Sequence, residues 1–427
     1  RPQRTAPVLI LPPAACRRDP PPLMDRLPSA SPDPFRLAPR VAGIEPFWVM
    51  ECTKAADTIA RSPACDPAQG GEPMIYLNIG EPDFTAPPAV AEAAQRCIDA
   101  GRTPYTPATG LPALREAISR WYAERWQADV PARRIVVTAG ASAALQLLTT
   151  AVVGAGDEIL MPDPSYPCNR HFVTAAGGIA RLLPAGAAQR FQLDAASVEA
   201  AWSEATRGVM LASPSNPTGT SIAPDELARI AAVVRERGGL TLVDEIYLGL
   251  SYDGQARSAV TLGDDVVVIN SFSKYFGMTG WRLGWMVLPE ALVPAVEKLA
   301  QNLYICASTV AQHAALACFE PDTLALCEQR RRTMQARRDF IVPALESLGL
   351  TVPVRPDGAF YVWFDTRAHA PDSWTFCMEM MQRAHIALTP GRDFGHAQTA
   401  HHARLSFASS MDDLHEAVRR LRRVLGR

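Results

Sequence analysis

Lysine, serine and arginine side chains occur together in one short segment that begins directly after a hydrophobic run. Lys274 follows the β-branched residues 266–269. A buried strand end is a poor solvent for an ammonium group, so this position favours the neutral amine that forms a Schiff base with a carbonyl. Ser271 and Ser273 offer hydroxyl donors and Arg282 offers a planar cation, a combination that suits a phosphate dianion. Taken alone, the segment also fits a surface loop with an ordinary lysine.

Two upstream motifs carry a carboxylate, a phenol and an amide. Asp244 stands where the hydrophobic run 240–243 ends, and a carboxylate there can keep a ring nitrogen protonated. Tyr247, three residues later, is placed to reach a ring hydroxyl. Asn216 lies in a turn restricted by two prolines and a glycine, which orient its amide. In isolation, Asp244 would equally fit a helix N-cap.

A further segment, 138–145, passes from a predicted strand into small residues that include Ala141 and Ser142. The N-terminus of a helix exposes unpaired N–H groups at the positive end of its dipole, and this arrangement binds phosphate. Close packing of the helix on a sheet would explain the same small residues.

These motifs follow short apolar runs that alternate with longer helical segments. Helices are predicted over 224–237, which starts at a proline and is closed by two glycines, and within the amphipathic run 139–156. The predicted strands lack polar alternation and are therefore buried on both faces, which predicts an α/β fold with a mostly parallel sheet. Five such strands are predicted: 134–138, 158–161, 209–211, 240–243 and 266–269.

Four regions are predicted along the chain. Residues 1–36 contain ten prolines and are expected to be a disordered extension, although Cys16 behind a short apolar patch would also fit a lipoprotein signal. Residues 37–79 are expected to pack with the small domain, and 80–309 to form the large domain. After about residue 310 long charged helices follow, which predicts a smaller α+β domain at 310–427, with the arginine clusters 330–332 and 419–423 on solvated faces.

Composition narrows the function classes. Of 427 residues 48% are hydrophobic and 20% are charged, as in a soluble globular protein, and the net charge of -2 gives no case for binding nucleic acid or an anionic membrane. Nine scattered cysteines without a C-x-x-C pair indicate reduced thiols, no metal site and a cytoplasmic protein.

The motifs together resemble the class I/II aminotransferase family of fold-type I pyridoxal-phosphate enzymes, which is aspartate aminotransferase-like. The resemblance runs from about Arg40 to the C-terminus and implies a large domain whose sheet is of the seven-stranded type. Its most specific segments are Gly80-Glu-Pro-Asp-Phe84, Tyr105 to Gly110, Asn216 to Gly219, Asp244 to Tyr247, Ser273-Lys274, Met278 to Gly284, and Arg404-Leu-Ser.

The resemblance implies a role for each matching residue. Lys274 corresponds to the lysine that holds pyridoxal 5′-phosphate as an aldimine, and Asp244 to the partner of the ring nitrogen. Tyr247 and Asn216 correspond to residues that bind the ring oxygen, and Tyr166 to the aromatic residue that stacks on the ring. Arg404 and the Gly80 backbone correspond to groups that bind the substrate α-carboxylate, with Asn216 beside them. The phosphate-binding positions are Ala141, Ser142, Ser271, Ser273 and Arg282, and many relatives have glycine at the first of these.

The resemblance implies an aminotransferase that moves the amino group of an L-amino acid to a 2-oxo acid by a ping-pong mechanism. A β-lyase or decarboxylase on the same scaffold would share every cofactor residue. A transcription regulator would need a DNA-binding domain before the enzyme module, and the Pro-rich head has no helical pattern to build one. A catalytically inactive module is disfavoured because no cofactor or carboxylate position is lost.

Substrate identity is not predicted by the motifs. A dicarboxylate substrate needs a second cation, for which the candidates are Arg170, His171, Arg392 and His396, although each also fits a surface or loop charge. Phe360, Tyr361 and Phe394 are expected to be apolar lining of the site.

A homodimer is also predicted. Tyr105 lies in a loop before the predicted helix 112–126 and, by the resemblance, reaches the phosphate in the neighbouring subunit. Trp121, Tyr122 and Trp126 are expected to add aromatic surface of the kind found at interfaces.

Overall fold

The computed structural model describes residues 37–253 and 256–426, and the predicted extension 1–36 lies outside them. The described residues from Arg40 onward belong to one compact unit, and residues 37–39 belong to a separate one. The helices of the described residues are α1 to α13, namely Pro39–Ala42, Trp48–Ala60, Pro88–Asp99, Pro112–Trp126, Ala141–Val152, Pro167–Ala175, Ala195–Ala201, Pro224–Glu236, Val293–Leu303, Thr309–Ala315, Pro321–Ser347, Ser373–Arg383 and Met411–Leu425. The strands are β1 to β12, namely Ile75–Tyr76, Ile135–Thr138, Glu158–Asp163, Ile179–Pro184, Thr206–Ala212, Leu240–Asp244, Val267–Ser271, Gly284–Val287, Tyr361–Asp365, Ile386–Ala387, Thr389–Pro390 and His402–Ser406.

A seven-stranded sheet forms the larger part of the fold. Its strand order is β2-β8-β7-β6-β5-β3-β4, and only β8 runs antiparallel to its neighbours. All five predicted strands are present, and their ends differ from the predicted ones by at most three residues. β2 and β7 are buried along their whole length, as expected for strands covered on both faces. The predicted α/β fold with a mostly parallel sheet is confirmed.

Helices flank this sheet where the sequence predicts them. The apolar run 139–156 contains α5, which buries Leu145, Leu147 and Leu148 and packs against α9 and the sheet. The helix predicted to start at Pro224 ends at Glu236. Gly238 adopts a positive φ of 69°, which is incompatible with continuing the α-helix. Among the described residues, no helix combines the length and apolarity that crossing a membrane requires.

Two smaller sheets are formed mainly by strands from the C-terminal part of the chain. Strands β11, β12 and β9 form an antiparallel sheet, and β1 pairs in parallel with β10. The backbone around β1 is therefore attached to the 385–387 segment: Ile75 donates to the His385 carbonyl at 2.8 Å, and Leu77 donates to the Ala387 carbonyl at 2.9 Å. The division at residues 79/80 and 309/310 stays a prediction.

The arginine clusters were expected to form solvated faces, and that expectation is wrong for Arg420. Arg420 is buried and donates to Glu416 and to the Pro73 carbonyl. Arg419 and Arg423 form ion pairs with Glu72, and the hydrogen bond from Arg423 lowers the pKa of that carboxyl to about 2. These pairs connect α13 to the segment before β1, which a charge pattern on one helix does not reveal.

The interpretation of α4 as interface surface is also wrong for two of its aromatic residues. Trp121 and Tyr122 are buried, and the indole N–H of Trp285 donates to the Tyr122 hydroxyl at 3.1 Å. Trp126 is half-buried and packs edge-on against Trp121. The aromatic residues belong to the core because α4 turns this face toward β8.

Candidate active site

A cavity of about 430 Å³ opens where several strands of the large sheet reach their carboxyl ends. Parallel strands end at the same edge of a sheet, so residues that follow different strands meet there. Twelve of the thirteen predicted site residues line the cavity: Gly80, Ala141, Ser142, Tyr166, Asn216, Asp244, Tyr247, Ser271, Ser273, Lys274, Arg282 and Arg404. Tyr105 does not line it and is 77% exposed.

Lys274 enters the cavity three residues after β7 ends. Its ammonium donates to the Gly80 carbonyl, and Nζ lies 5.9 Å from the ring centroid of Tyr247 and 5.8 Å from that of Phe360. Burial lowers the pKa of Lys274 to about 8, although the nearby Glu81 carboxylate opposes the shift. A substantial neutral fraction near physiological pH makes this amine a nucleophile and a base.

Asp244 is the last residue of β6 and points into the same cavity. β6 and β7 pair in parallel, with Asp244 opposite Ile269, so Asp244 and Lys274 lie near the ends of neighbouring strands. The carboxylate accepts a hydrogen bond from the Ile246 N–H at 3.0 Å. Burial raises the pKa of Asp244 to about 6, since its backbone hydrogen bond and Lys274 only partly offset desolvation. A cationic partner at this position would favour the ionised form.

Hydrogen-bond donors converge at another end of the cavity. α5 begins at Ala141 with no acidic residue in its first turn, and the Ser271 and Ser273 hydroxyls lie 2.9 Å apart beside it. Arg282 has a positive φ of 52° and donates through Nη1 to the Thr279 carbonyl at 2.9 Å. Gly140 has a positive φ of 86°, and a Cβ there would lie 2.7 Å from Arg282 Nη2, so the glycine permits this position of the guanidinium. Helix N–H groups, hydroxyls and a guanidinium are together an anion site.

Arg404 supplies a second, separate cation. It lies in the middle of β12 and is 1% exposed. Nη1 donates to the Asn216 side-chain oxygen at 2.8 Å and Nη2 to the Asn78 carbonyl at 2.6 Å. Its Nε, also buried, has no hydrogen-bond partner within the described part of the chain. A buried guanidinium with unused donor capacity suits a carboxylate ligand.

Three tyrosines surround the space between these groups. The hydroxyls of Tyr247 and Tyr361 lie 2.8 Å apart, and the Arg404 guanidinium carbon lies 4.4 Å from the Tyr361 ring centroid. Tyr166 immediately precedes α6, and Phe47 packs edge-on against its ring at 6.0 Å. Tyr361 therefore combines an aromatic wall with a polar contact, whereas the sequence predicted only apolar lining.

The candidate second cations do not line the cavity. Arg170 donates to the Asp393 carbonyl at 3.1 Å, and Arg392 is exposed and packs over the rings of Trp48 and Trp374. His171 and His396 are likewise absent from the lining, as are Phe360 and Phe394. Apolar side chains cover much of the remaining wall: Phe47, Val49, Met50, Ile79, Leu145 and Ile246.

Sequence reasoning missed several contacts at the site. Glu81 lines the cavity and accepts a hydrogen bond from Thr279, and its position beside Gly80 in the motif was a usable signal. Asn78 and Thr389 both bond Arg404, but Asn78 does so through its backbone carbonyl, which no residue pattern marks. Met50 and Val49 come from α2, far from every motif.

Several known proteins are similar to this chain over most of its length. Residues 72–421 match the family described as aminotransferase class I and II. The chain is 36% identical to a valine–pyruvate aminotransferase of Mycobacterium tuberculosis, over 89% of this chain and 96% of that protein. An aminotransferase crystal structure from the same organism superimposes with a TM-score of 0.87 at 36% identity, covering 92% of this chain and 99% of the other. Aspartate aminotransferase from Thermus thermophilus with maleate gives a TM-score of 0.84 at 31% identity, covering 91% and 100%. The chain belongs to the class I and II aminotransferase family of pyridoxal-phosphate-dependent enzymes.

Proposed function

We propose that this aminotransferase moves the amino group of an L-amino acid to a 2-oxo acid by a ping-pong mechanism in which Lys274 carries the cofactor covalently. The observation that carries the proposal is the presence in one cavity of an amine with a pKa of about 8 and a buried arginine with a free donor. The first group suits a carbonyl, and the second suits the α-carboxylate of an amino acid.

The residues present fit pyridoxal 5′-phosphate. The N-terminus of α5 at Ala141 and Ser142, the hydroxyls of Ser271 and Ser273 and the Arg282 guanidinium would hold the phosphate. Asp244 would hold the ring nitrogen, Tyr247 and Asn216 would hold the ring oxygen, and Tyr166 would cover the ring face. When bound, the cofactor supplies an electron sink for the bond that breaks at Cα.

Lys274, Arg404 and Asp244 then have distinct tasks. Lys274, freed when the amino acid takes its place, accepts the α-proton and later returns it, so the same amine acts as base and as acid. Arg404 holds the carboxylate in a bidentate fork, which orients the Cα–H bond toward Lys274. Asp244 would stay ionised beside the protonated ring nitrogen and would hold that positive charge in place.

We propose further that the amino donor has an uncharged, apolar side chain. Within the described residues, the cations of the lining are Lys274, Arg282 and Arg404, and each has a task in the scheme above. A second substrate carboxylate would have no cationic partner there and would lie against apolar walls, which disfavours it. The similarity to a valine–pyruvate aminotransferase supports the same class, with a small 2-oxo acid as acceptor.

The proposal includes a homodimer in which Tyr105 reaches the partner's phosphate. A second, open cavity of about 580 Å³ shares Glu81 and Thr279 with the active-site cavity, and a neighbouring chain would approach the phosphate end through it. Tyr105 itself is exposed, and Thr309 donates to the preceding Pro104 carbonyl at 2.8 Å. An exposed tyrosine on a fixed loop is available for contact with a second subunit.

A donor panel tests the proposal. Purified holoenzyme is given leucine, valine, phenylalanine, aspartate or lysine with pyruvate or 2-oxoglutarate, and both products are measured. We expect transamination with the apolar donors to exceed that with aspartate. Met50→Arg adds a cation to the apolar wall and should raise the aspartate rate about tenfold relative to leucine, whereas Met50→Leu should not. Ammonia and pyruvate from a cysteine conjugate without any acceptor would instead indicate a β-lyase.

A further inference from the structure

Tyr361 touches three separate parts of the site. It is the first residue of β9 and is fully buried. Its hydroxyl lies 2.8 Å from that of Tyr247, and its ring lies beneath the Arg404 guanidinium at 4.4 Å. The sequence predicted apolar lining for both Tyr361 and its neighbour Phe360 and did not separate their roles.

The same hydroxyl lies against the backbone that receives Lys274. A Cβ built on Gly80 would come within 2.8 Å of the Tyr361 hydroxyl oxygen, so the glycine permits this close approach. The Gly80 carbonyl is the acceptor for the Lys274 ammonium. One side chain therefore packs against the lysine's acceptor, the phenol of Tyr247 and the carboxylate-binding arginine.

The number of hydroxyl protons decides which of the two tyrosines, Tyr247 or Tyr361, donates the hydrogen bond between them. A phenol has one O–H, and under the proposed function Tyr247 uses its own to donate to the cofactor ring oxygen. The 2.8 Å contact can then be a hydrogen bond only when Tyr361 is the donor and Tyr247 accepts. The face of the Tyr361 ring, which is electron-rich, stays available to Arg404.

We propose that Tyr361 is a positioning residue that connects the cofactor-binding Tyr247 with the carboxylate-binding Arg404. Its hydroxyl donates to Tyr247 and strengthens that residue as a donor to the cofactor. Its ring holds the Arg404 guanidinium in line for the substrate carboxylate. This inference rests on the proposed function, because it assumes a cofactor at Tyr247 and a carboxylate at Arg404.

Tyr361→Phe tests the hydroxyl alone. A hydrogen bond accepted by Tyr247 polarises its O–H, so removing that bond weakens its donation to the ring oxygen. The spectroscopic pKa of the bound cofactor should rise by about half a unit, as expected for the loss of a modest hydrogen-bond contribution. The measurement is an absorbance titration of the holoenzyme. Binding of 4-methylpentanoate, which has a carboxylate but no amino group, should stay within about twofold because the ring remains beneath Arg404.

Tyr361→Leu removes the ring as well. The dissociation constant of 4-methylpentanoate should then rise by about fivefold or more, since a desolvated cation–π contact is lost. Tyr361→Met, also non-aromatic, serves if the leucine variant does not fold. The matched control is Tyr252→Phe: the Tyr252 hydroxyl donates to the Ala359 carbonyl and its ring centroid lies 5.1 Å from the Arg338 guanidinium carbon, but Tyr252 lies outside the cavity lining. Both readouts should match wild type in this control.

Two results would overturn the inference. One is an unchanged spectroscopic pKa in Tyr361→Phe, and the other is equal carboxylate affinity in the phenylalanine and non-aromatic variants. Failure of the proposed function looks different, because wild-type protein would then show no cofactor spectrum to titrate.

Discussion

Nη1 of Arg404 donates to the side-chain oxygen of Asn216 at 2.8 Å, although the two residues are 188 positions apart in the chain. Arg404 belongs to β12 of the small antiparallel sheet, and Asn216 follows β5 of the large one. A hydrogen bond between buried groups in which one partner is charged is among the stronger ones in proteins. It joins the residue proposed to bind the substrate carboxylate to the residue proposed to bind the cofactor ring oxygen.

Arg404→Lys should separate substrates by their carboxylate. Lysine keeps the charge but loses the planar fork, so kcat/KM for amino-acid donors should fall by about 10²-fold or more. Amines without a carboxylate should react nearly as they do with wild type. Steady-state kinetics with both donor types makes the comparison. If both suffer equally, Arg404 supports the fold instead of binding substrate.

Asp244→Ala should slow proton abstraction while some cofactor remains bound. Removing the partner of a buried cation costs about 3–5 kcal/mol, or roughly two to four decades in rate. Single-turnover absorbance changes measure the step, and Asp244→Glu, which retains the carboxylate, should lose less. An effect smaller than about threefold in the alanine variant would reject the assignment.

The pKa of Lys274 predicts a pH-dependent stability in the cofactor-free protein. The folded pKa, about 8, lies below the ordinary value of 10.5 because of burial. Between these pH values the unfolded chain binds more protons, so the contribution of Lys274 to the free energy of unfolding increases as pH rises. Urea titrations should show wild type gaining stability relative to Lys274→Met from pH 8 to 10.5. A flat difference across that range would contradict the shifted pKa.

Subunit mixing tests the role of Tyr105. Lys274→Ala and Tyr105→Ala chains are each inactive or weak, but a hybrid dimer has one site with an intact Lys274 from one chain and an intact Tyr105 from the other. Random exchange should restore roughly a quarter of wild-type activity. Mass spectrometry verifies the exchange, and no recovery in verified hybrids would assign Tyr105 to its own subunit's site.

Much of the large sheet could be predicted because its strands are short, apolar runs between helices. β8 was missed, since Gly284–Val287 is only four residues long and follows a loop already assigned to chemistry. β1 and β10 are two residues each and are defined only by their pairing with each other. Hydrophobic periodicity along the sequence does not predict such a pairing.

The site could be predicted where chemistry is concentrated in one segment, as at Lys274 with Ser271 and Ser273. It could not be predicted where a role depends on distant contacts. The Tyr361 hydroxyl meets Tyr247 across 114 positions, and the buried face of α4 at Trp121 is decided by β8. Such relationships depend on tertiary packing and not on local residue type.

Reduction of the purified holoenzyme with borohydride, followed by peptide mass spectrometry, tests the central claim most directly. The covalent attachment proposed here predicts a yellow protein whose cofactor mass becomes fixed on the peptide containing Lys274, with no colour and no transamination in Lys274→Ala. Cofactor mass on another lysine, or full transamination by the alanine variant, would contradict it.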